Sequence, residues 1–299
     1  MWLSLAFLSA FFLGCYDINK KMAVNGNAVI PVLSLNTIFC ALLLTPLFLL
    51  SRLSPSSVEG TIYYVPSIQS SDHLLILLKS CIVLSSWVFG YYATKHLPLT
   101  LTGPINATRP VMTLVGAMLI FGERLNTYQW VGVVLTIFSI FLLSASGKKE
   151  GINFKSNKWI LFIFFAAILG AASGLYDKYL MKSISSTAVQ FWYNLYQSIL
   201  MLIVLLVIWY PRRNKSTPFQ WRWNIILVSV FLTLADFVYF YALTDSDAMI
   251  SIVSMVRRSS VLVSFVGGVL FFNEKNLKGK ALDLVLIIIG MFFLYLGTK

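Results

Sequence analysis

Apolar stretches of about 20 residues recur along nearly the whole chain, each ended by a short polar or basic connection. A helix of that length crosses roughly 30 Å of hydrocarbon. The pattern therefore predicts ten spans, near 3–22, 29–50, 73–94, 99–121, 127–146, 159–180, 187–210, 223–243, 248–272 and 281–298. The first has no basic region before it and no small-residue cleavage site after it, so it reads as a span rather than a removable leader. Most connections are short enough to force antiparallel neighbours. Two are longer: residues 51–72, rich in Ser, Pro and Tyr, and residues 147–158.

The second long connection separates two similar halves. Gly14-Cys15-Tyr16-Asp17 reappears as Gly174-Leu175-Tyr176-Asp177, and Asn36 has a counterpart in Asn194. Tyr91-Tyr92-Ala93 matches Phe240-Tyr241-Ala242, and Val115-Gly116-Ala117 through Leu125 matches Val266-Gly267-Gly268 through Leu277. Each match is weak alone, but all fall in the same order. This divides the chain into a five-helix unit at 1–146, a linker at 147–158 and a second five-helix unit at 159–299. With an odd number of spans in each, the second unit enters the membrane from the opposite side. Such inverted repeats place a site near the midplane that either face can reach in turn.

Composition supports a membrane setting: 58% of residues are hydrophobic, 11% are charged and the mean hydropathy is +0.81. A soluble domain carries about a quarter charged residues, so there is too little polar surface here to coat a water-facing particle. The expected fold class is an all-α integral membrane protein. A net charge of +12 raises nucleic acid as a partner, but Lys and Arg gather in short connections such as Gly147-Lys148-Lys149 and Pro211-Arg212-Arg213. They read as topology signals and lipid headgroup contacts, with no nucleic-acid partner. The loops opposite the termini hold about 14 Lys and Arg against about five on the terminal side, which by the positive-inside rule puts the termini outside the cytoplasm. Cys15, Cys40 and Cys81 lie in apolar stretches and read as small hydrophobes, with no disulfide, cofactor or metal site indicated.

An acidic residue follows the fourth and ninth spans, with small residues spaced along the next helix: Pro110, Glu123, Gly132 and Ser139, then Glu274, Asp283 and Gly290. In this the chain resembles the ten-helix EamA-type carriers of the drug/metabolite transporter superfamily, over essentially its whole length. The resemblance implies a secondary transporter in the cell (inner) membrane with cytoplasmic termini; on orientation, the charge count is followed. Gly132 and Ser139 are two turns apart and share a face where another helix approaches closely, as Gly290 does in the last helix. Asp283 is expected near the interface. Glu123 and Glu274 read as caps, or as partners of Arg124 and Lys275, rather than as substrate ligands.

Ionisable groups within spans are costly and point to function. The deepest are Arg109, Asp236, Arg257 and Arg258; Asp17 and Asp177 sit nearer the ends of repeat-related helices, and Lys79 is placed to snorkel. One carboxylate among three arginines leaves positive charge over, and a guanidinium suits a carboxylate or phosphate through two parallel hydrogen bonds. Pro104 and Pro110 flank Asn106 and Arg109, freeing carbonyls of the kind that line cavities at membrane depth. The ninth span lacks these prolines. At the fixed offset of the repeat, Arg109 aligns with Ser260 and Asn106 with Arg257, and Trp87 occupies the repeat position that matches Asp236. The paired arginines of the ninth span also resemble the basic pair of the distantly related sugar-phosphate translocators.

The expected substrate site is thus Arg109, Arg257, Arg258, Asp236, Trp87 and Asn106, with Asp17, Asp177 or Asp236 as candidates for proton coupling. No catalytic residue is expected: His73 and His96 lie near span ends, and no nucleotide-binding loop is present. The function expected is gradient-driven carriage or exchange of a small anionic or zwitterionic metabolite by alternating access. The alternatives are a proton-coupled exporter of amino acids or drugs and, from another class, a membrane-embedded lipid-modifying enzyme.

Overall fold

The structure is a computed structural model that describes residues 2–121, 126–148, 151–180, 183–242, 256–272, 274 and 277–297. Among these residues all regular structure is helical. The first half comprises α1 (Trp2–Val24), α2 (Val29–Leu53), the short α3 (Pro55–Val58), α4 (Ser70–His96), α5 (Leu99–Ala107), α6 (Arg109–Phe121) and α7 (Thr127–Lys148). The second comprises α8 (Lys158–Leu180), α9 (Ser186–Val204), α10 (Asn224–Ala242), α11 (Ser260–Phe272) and α12 (Leu277–Leu296). α9 runs on through a π-helical turn at Leu205–Trp209 and a 3-10 turn at Tyr210–Lys215 before Ser216 leaves the helix.

Val29–Leu53, Ser70–His96, Lys158–Asp177 and Ser186–Lys215 are long and apolar enough to span a bilayer outright, and Thr127–Leu143 and Asn224–Tyr239 are shorter apolar helices. The first, fourth, ninth and tenth spans carry the charges or interruptions described below. Large apolar side chains such as Phe141, Leu161, Leu206, Leu270 and Phe292 are exposed around the bundle, as expected where lipid tails rather than water are the solvent.

The two halves pack reciprocally. α1 lies against α10, and its counterpart α8 lies against α4, the counterpart of α10. α2 meets α9 and α7 meets α12, each helix touching its own equivalent. α1 also meets α11, while α8 meets α5 and α6. This is the contact pattern of two inverted five-helix repeats about a pseudo-two-fold axis, and it relates Asp17 of α1 to Asp177 of α8.

Small residues set the closest approaches. A methyl on Gly14 would overlap Val263, and one on Gly267 would overlap Ile18, so α1 and α11 pack nearly backbone to backbone. Where α7 meets α12, a methyl on Gly290 would lie 3.1 Å from the Gly132 carbonyl oxygen, and the Ser139 hydroxyl donates to the Asp283 carbonyl at 3.0 Å. Asp283 is fully buried rather than interfacial, because α7 covers that part of α12 and supplies Ser146 to its carboxylate.

Candidate functional site

The site is built on two helix interruptions at repeat-equivalent positions. The fourth span breaks at Thr108, between α5 and α6, where Pro110 has no N–H and its ring crowds the Asn106 carbonyl. The Thr108 N–H and hydroxyl both donate to the Ile105 carbonyl, at 3.2 and 2.7 Å. The ninth span breaks as well, without a proline. Residues 256–258 are helical, Ser259 is a turn, and α11 starts at Ser260. Here the Ser259 N–H and hydroxyl donate to the Val256 carbonyl at 2.9 and 2.6 Å. A short hydroxyl side chain competing for a backbone carbonyl replaces the proline as the cause. Arg109 therefore begins the helix after one break, and Arg257 with Arg258 ends the helix before the other.

Between the breaks lies a cavity of about 190 Å³. All six residues expected to bind substrate line it: Arg109, Asn106, Arg257, Arg258, Asp236 and Trp87. Asp17 joins them from α1, together with Lys20, which sequence reasoning passed over. Lys20 donates to the Asp17 carboxylate at 2.6 Å and lies over the rings of Tyr16 and Tyr91, at 4.6 and 5.7 Å from their centroids. The signal was available, since residues three apart on a helix are neighbours.

Each guanidinium stands differently. Arg257 pairs with the Asp236 carboxylate and lies 4.5 Å over the Tyr239 ring; Asp236 also accepts the Tyr193 hydroxyl at 3.2 Å. Arg257 thus has its counter-charge within the protein. Arg109 donates to the Asn106 side-chain oxygen at 3.0 Å, and its buried Nε has no hydrogen-bond partner among the described residues. Its guanidinium rests on Gly170 of α8, where a methyl would come within 2.6 Å of Cζ. Arg258 has no ion pair or hydrogen bond among the described residues, and its charged neighbours are Arg109, Arg257 and Asp17. The described lining holds four cations (Lys20, Arg109, Arg257, Arg258) and two carboxylates (Asp17, Asp236), a formal excess of two positive charges.

Asp177 does not line this cavity. It pairs with Lys79, which is buried at 4% exposure instead of snorkelling to water. The Lys79 ammonium sits 4.8 Å over the Tyr193 ring, so the pair connects to Asp236 through that tyrosine. At the other end of the bundle, Glu274 caps α5, accepting the backbone N–H groups of Leu99 and Thr100 at 2.6 and 2.8 Å. Lys21 caps the end of α4 by donating to the carbonyls of Thr94 and Leu97 at 2.7 and 2.5 Å. These contacts tie α1, the α4–α5 turn and the start of the α11–α12 turn together. Glu274 thus acts as a cap, across the two halves. Glu123, Arg124 and Lys275 lie outside the described residues.

The sequence model of the EamA-like transporter family matches residues 1–145 and 157–296. The chain belongs to the EamA-like transporter family. It is a multi-pass membrane protein and a transporter of small molecules, in a family of transporters rather than enzymes. No curated protein matches the chain. A solved structure described as "Crystal structure of protein" is similar over 98% of this chain and 96% of its own, with 13% identity and a TM-score of 0.62, a likeness of fold alone.

Proposed function

We propose that the protein is a secondary carrier, driven by a gradient or by exchange, for a small anionic or zwitterionic metabolite bound in the cavity between the two helix breaks. The observation that carries this reading is the formal excess of two positive charges on a cavity of about 190 Å³. A guanidinium at bilayer depth costs at least about 2.5–3.5 kcal/mol, and Arg258 makes no ion pair among the described residues. An anion held by Arg109 and Arg258 offsets that cost. Trp87 and Tyr91 give the pocket an aromatic wall, and Asn106 orients Arg109. The units 1–146 and 159–299, joined by 147–158, rock against each other to open the cavity to either face.

Proton-coupled export is the second reading, and the ion pairs weigh against it. Asp17, Asp177 and Asp236 each face a cation, Lys20, Lys79 and Arg257 respectively, so a proton taken up by any of them has to break an ion pair made within the protein. Counterflow in proteoliposomes tests the proposal. Vesicles preloaded with a pool of small carboxylates and phosphate esters should take up a labelled member of the pool saturably, without an imposed proton gradient. Uptake that needs the proton gradient and ignores the preloaded anions would favour the exporter.

The termini are proposed to face away from the cytoplasm, in a cell membrane, from the excess of Lys and Arg on the opposite loops. A C-terminal fluorescent protein that matures only in the cytoplasm should stay dark in cells; a bright signal reverses the orientation.

A further inference from the structure

On the lipid-facing surface, a groove of about 680 Å³ lies between the end of α7 and the start of α8. Its origin is the reciprocal packing of the halves. α7 lies against α12 and α8 against α4, so the two helices joined by the linker diverge and leave a gap. The floor of the gap is apolar, with Phe141 70% and Leu161 55% exposed beside the half-buried Phe164. Its mouth carries Lys148, Lys155 and Lys158, all exposed and none in an ion pair with a described acid.

We infer that this groove binds one anionic diacyl phospholipid, with Lys148, Lys155 and Lys158 on its phosphate and an acyl chain along Phe141, Leu161 and Phe164. Charge complementarity selects this occupant. A basic pocket at the headgroup level above an apolar floor matches a lipid that carries a net negative charge. A zwitterionic lipid would bring its own cation up to the three lysines, and a free phosphate would leave the floor uncovered. The start of α8 adds to the mouth: Asn157 caps it, accepting the Trp159 N–H at 2.9 Å, and the remaining N-terminal dipole favours an anion. The lipid would wedge the linker between the two halves at the point where they must move relative to one another. This inference stands independently of the substrate assigned to the central cavity.

Native mass spectrometry of the purified protein, titrated with phosphatidylglycerol and with phosphatidylcholine, tests it. The first phosphatidylglycerol should bind at least about 10-fold more tightly than the first phosphatidylcholine. Replacing the three lysines together (Lys148→Gln, Lys155→Gln, Lys158→Gln) should abolish that preference, and three arginines in their place should keep it. The pair Arg212→Gln and Arg213→Gln, which removes charge from loops on the same face but outside the groove, should leave it intact. A triple glutamine variant with the wild-type preference overturns the inference. So does an equal loss in the Arg212/Arg213 pair, which would make the effect one of overall charge. Should loss of the lysines disturb membrane insertion, Phe141→Ala with Leu161→Ala leaves every loop charge in place. That pair should still weaken the first phosphatidylglycerol, and unchanged binding there refutes the groove as the site.

Discussion

Replacing Arg258 by lysine is expected to lower transport by roughly 10- to 100-fold while leaving the melting temperature nearly unchanged. The size follows from hydrogen bonds to charged groups, worth about 1.5–3 kcal/mol each, with every 1.4 kcal/mol about tenfold in an equilibrium. Lysine keeps the positive charge but loses the planar fork that grips a carboxylate or phosphate through two bonds. The fold should tolerate the change, because Arg258 makes no ion pair or hydrogen bond among the described residues. Counterflow and thermal unfolding on the same preparation separate the outcomes. If Arg258→Ala lowers the melting temperature sharply and shows no substrate-specific defect, the residue holds the bundle together and the anion site lies elsewhere. Full activity in the combined Arg109→Gln, Arg257→Gln and Arg258→Gln variant would remove the proposal altogether.

The spans, the repeat and most of the charged residues of the cavity were legible because each leaves a mark in one dimension: hydropathy over about 20 residues, fragments recurring in order, and charge where charge is expensive. The ninth-span break was not legible. Pro110 announces the break in the fourth span, but Ser259 is an ordinary residue in a helical run, and only its hydrogen bond to Val256 shows what it does. The partners of the charges were hidden for a related reason. Asp236 and Arg257 are 21 residues apart, and Lys79 and Asp177 are 98 apart, so each pairing is a product of helix packing and not of local spacing. The capping of α5 by Glu274, 175 residues away from Leu99, belongs to the same class. A charge inside a span can be flagged from sequence; whether the protein or the substrate neutralises it is decided by which helix lies opposite.

That distinction makes Arg257 and Arg258 separable despite being adjacent. Asp236→Asn is expected to destabilise the protein by about 3–5 kcal/mol, the usual cost of stripping one partner from a buried ion pair, since both side chains are mostly buried, at 17% exposure for Arg257 and 13% for Asp236. Arg257→Gln strands the Asp236 carboxylate instead. Arg258, one residue away, without an ion pair among the described residues and on the same cavity, is then drawn to Asp236, so transport falls although Arg257 itself holds no substrate. The double variant, Asp236→Asn with Arg257→Gln, removes both charges at once and leaves the excess of two on the cavity unaltered. It should recover most of the stability and part of the transport lost in either single variant, a coupling that a double-mutant cycle reads directly. The Tyr193 hydroxyl can still donate to the side-chain oxygen of an asparagine at 236, so that bond need not be lost. Stability and transport that fall additively, with the double variant worse than either single one, would show that Arg257 meets the substrate as well. The anion would then be shared among three guanidinium groups rather than held by Arg109 and Arg258.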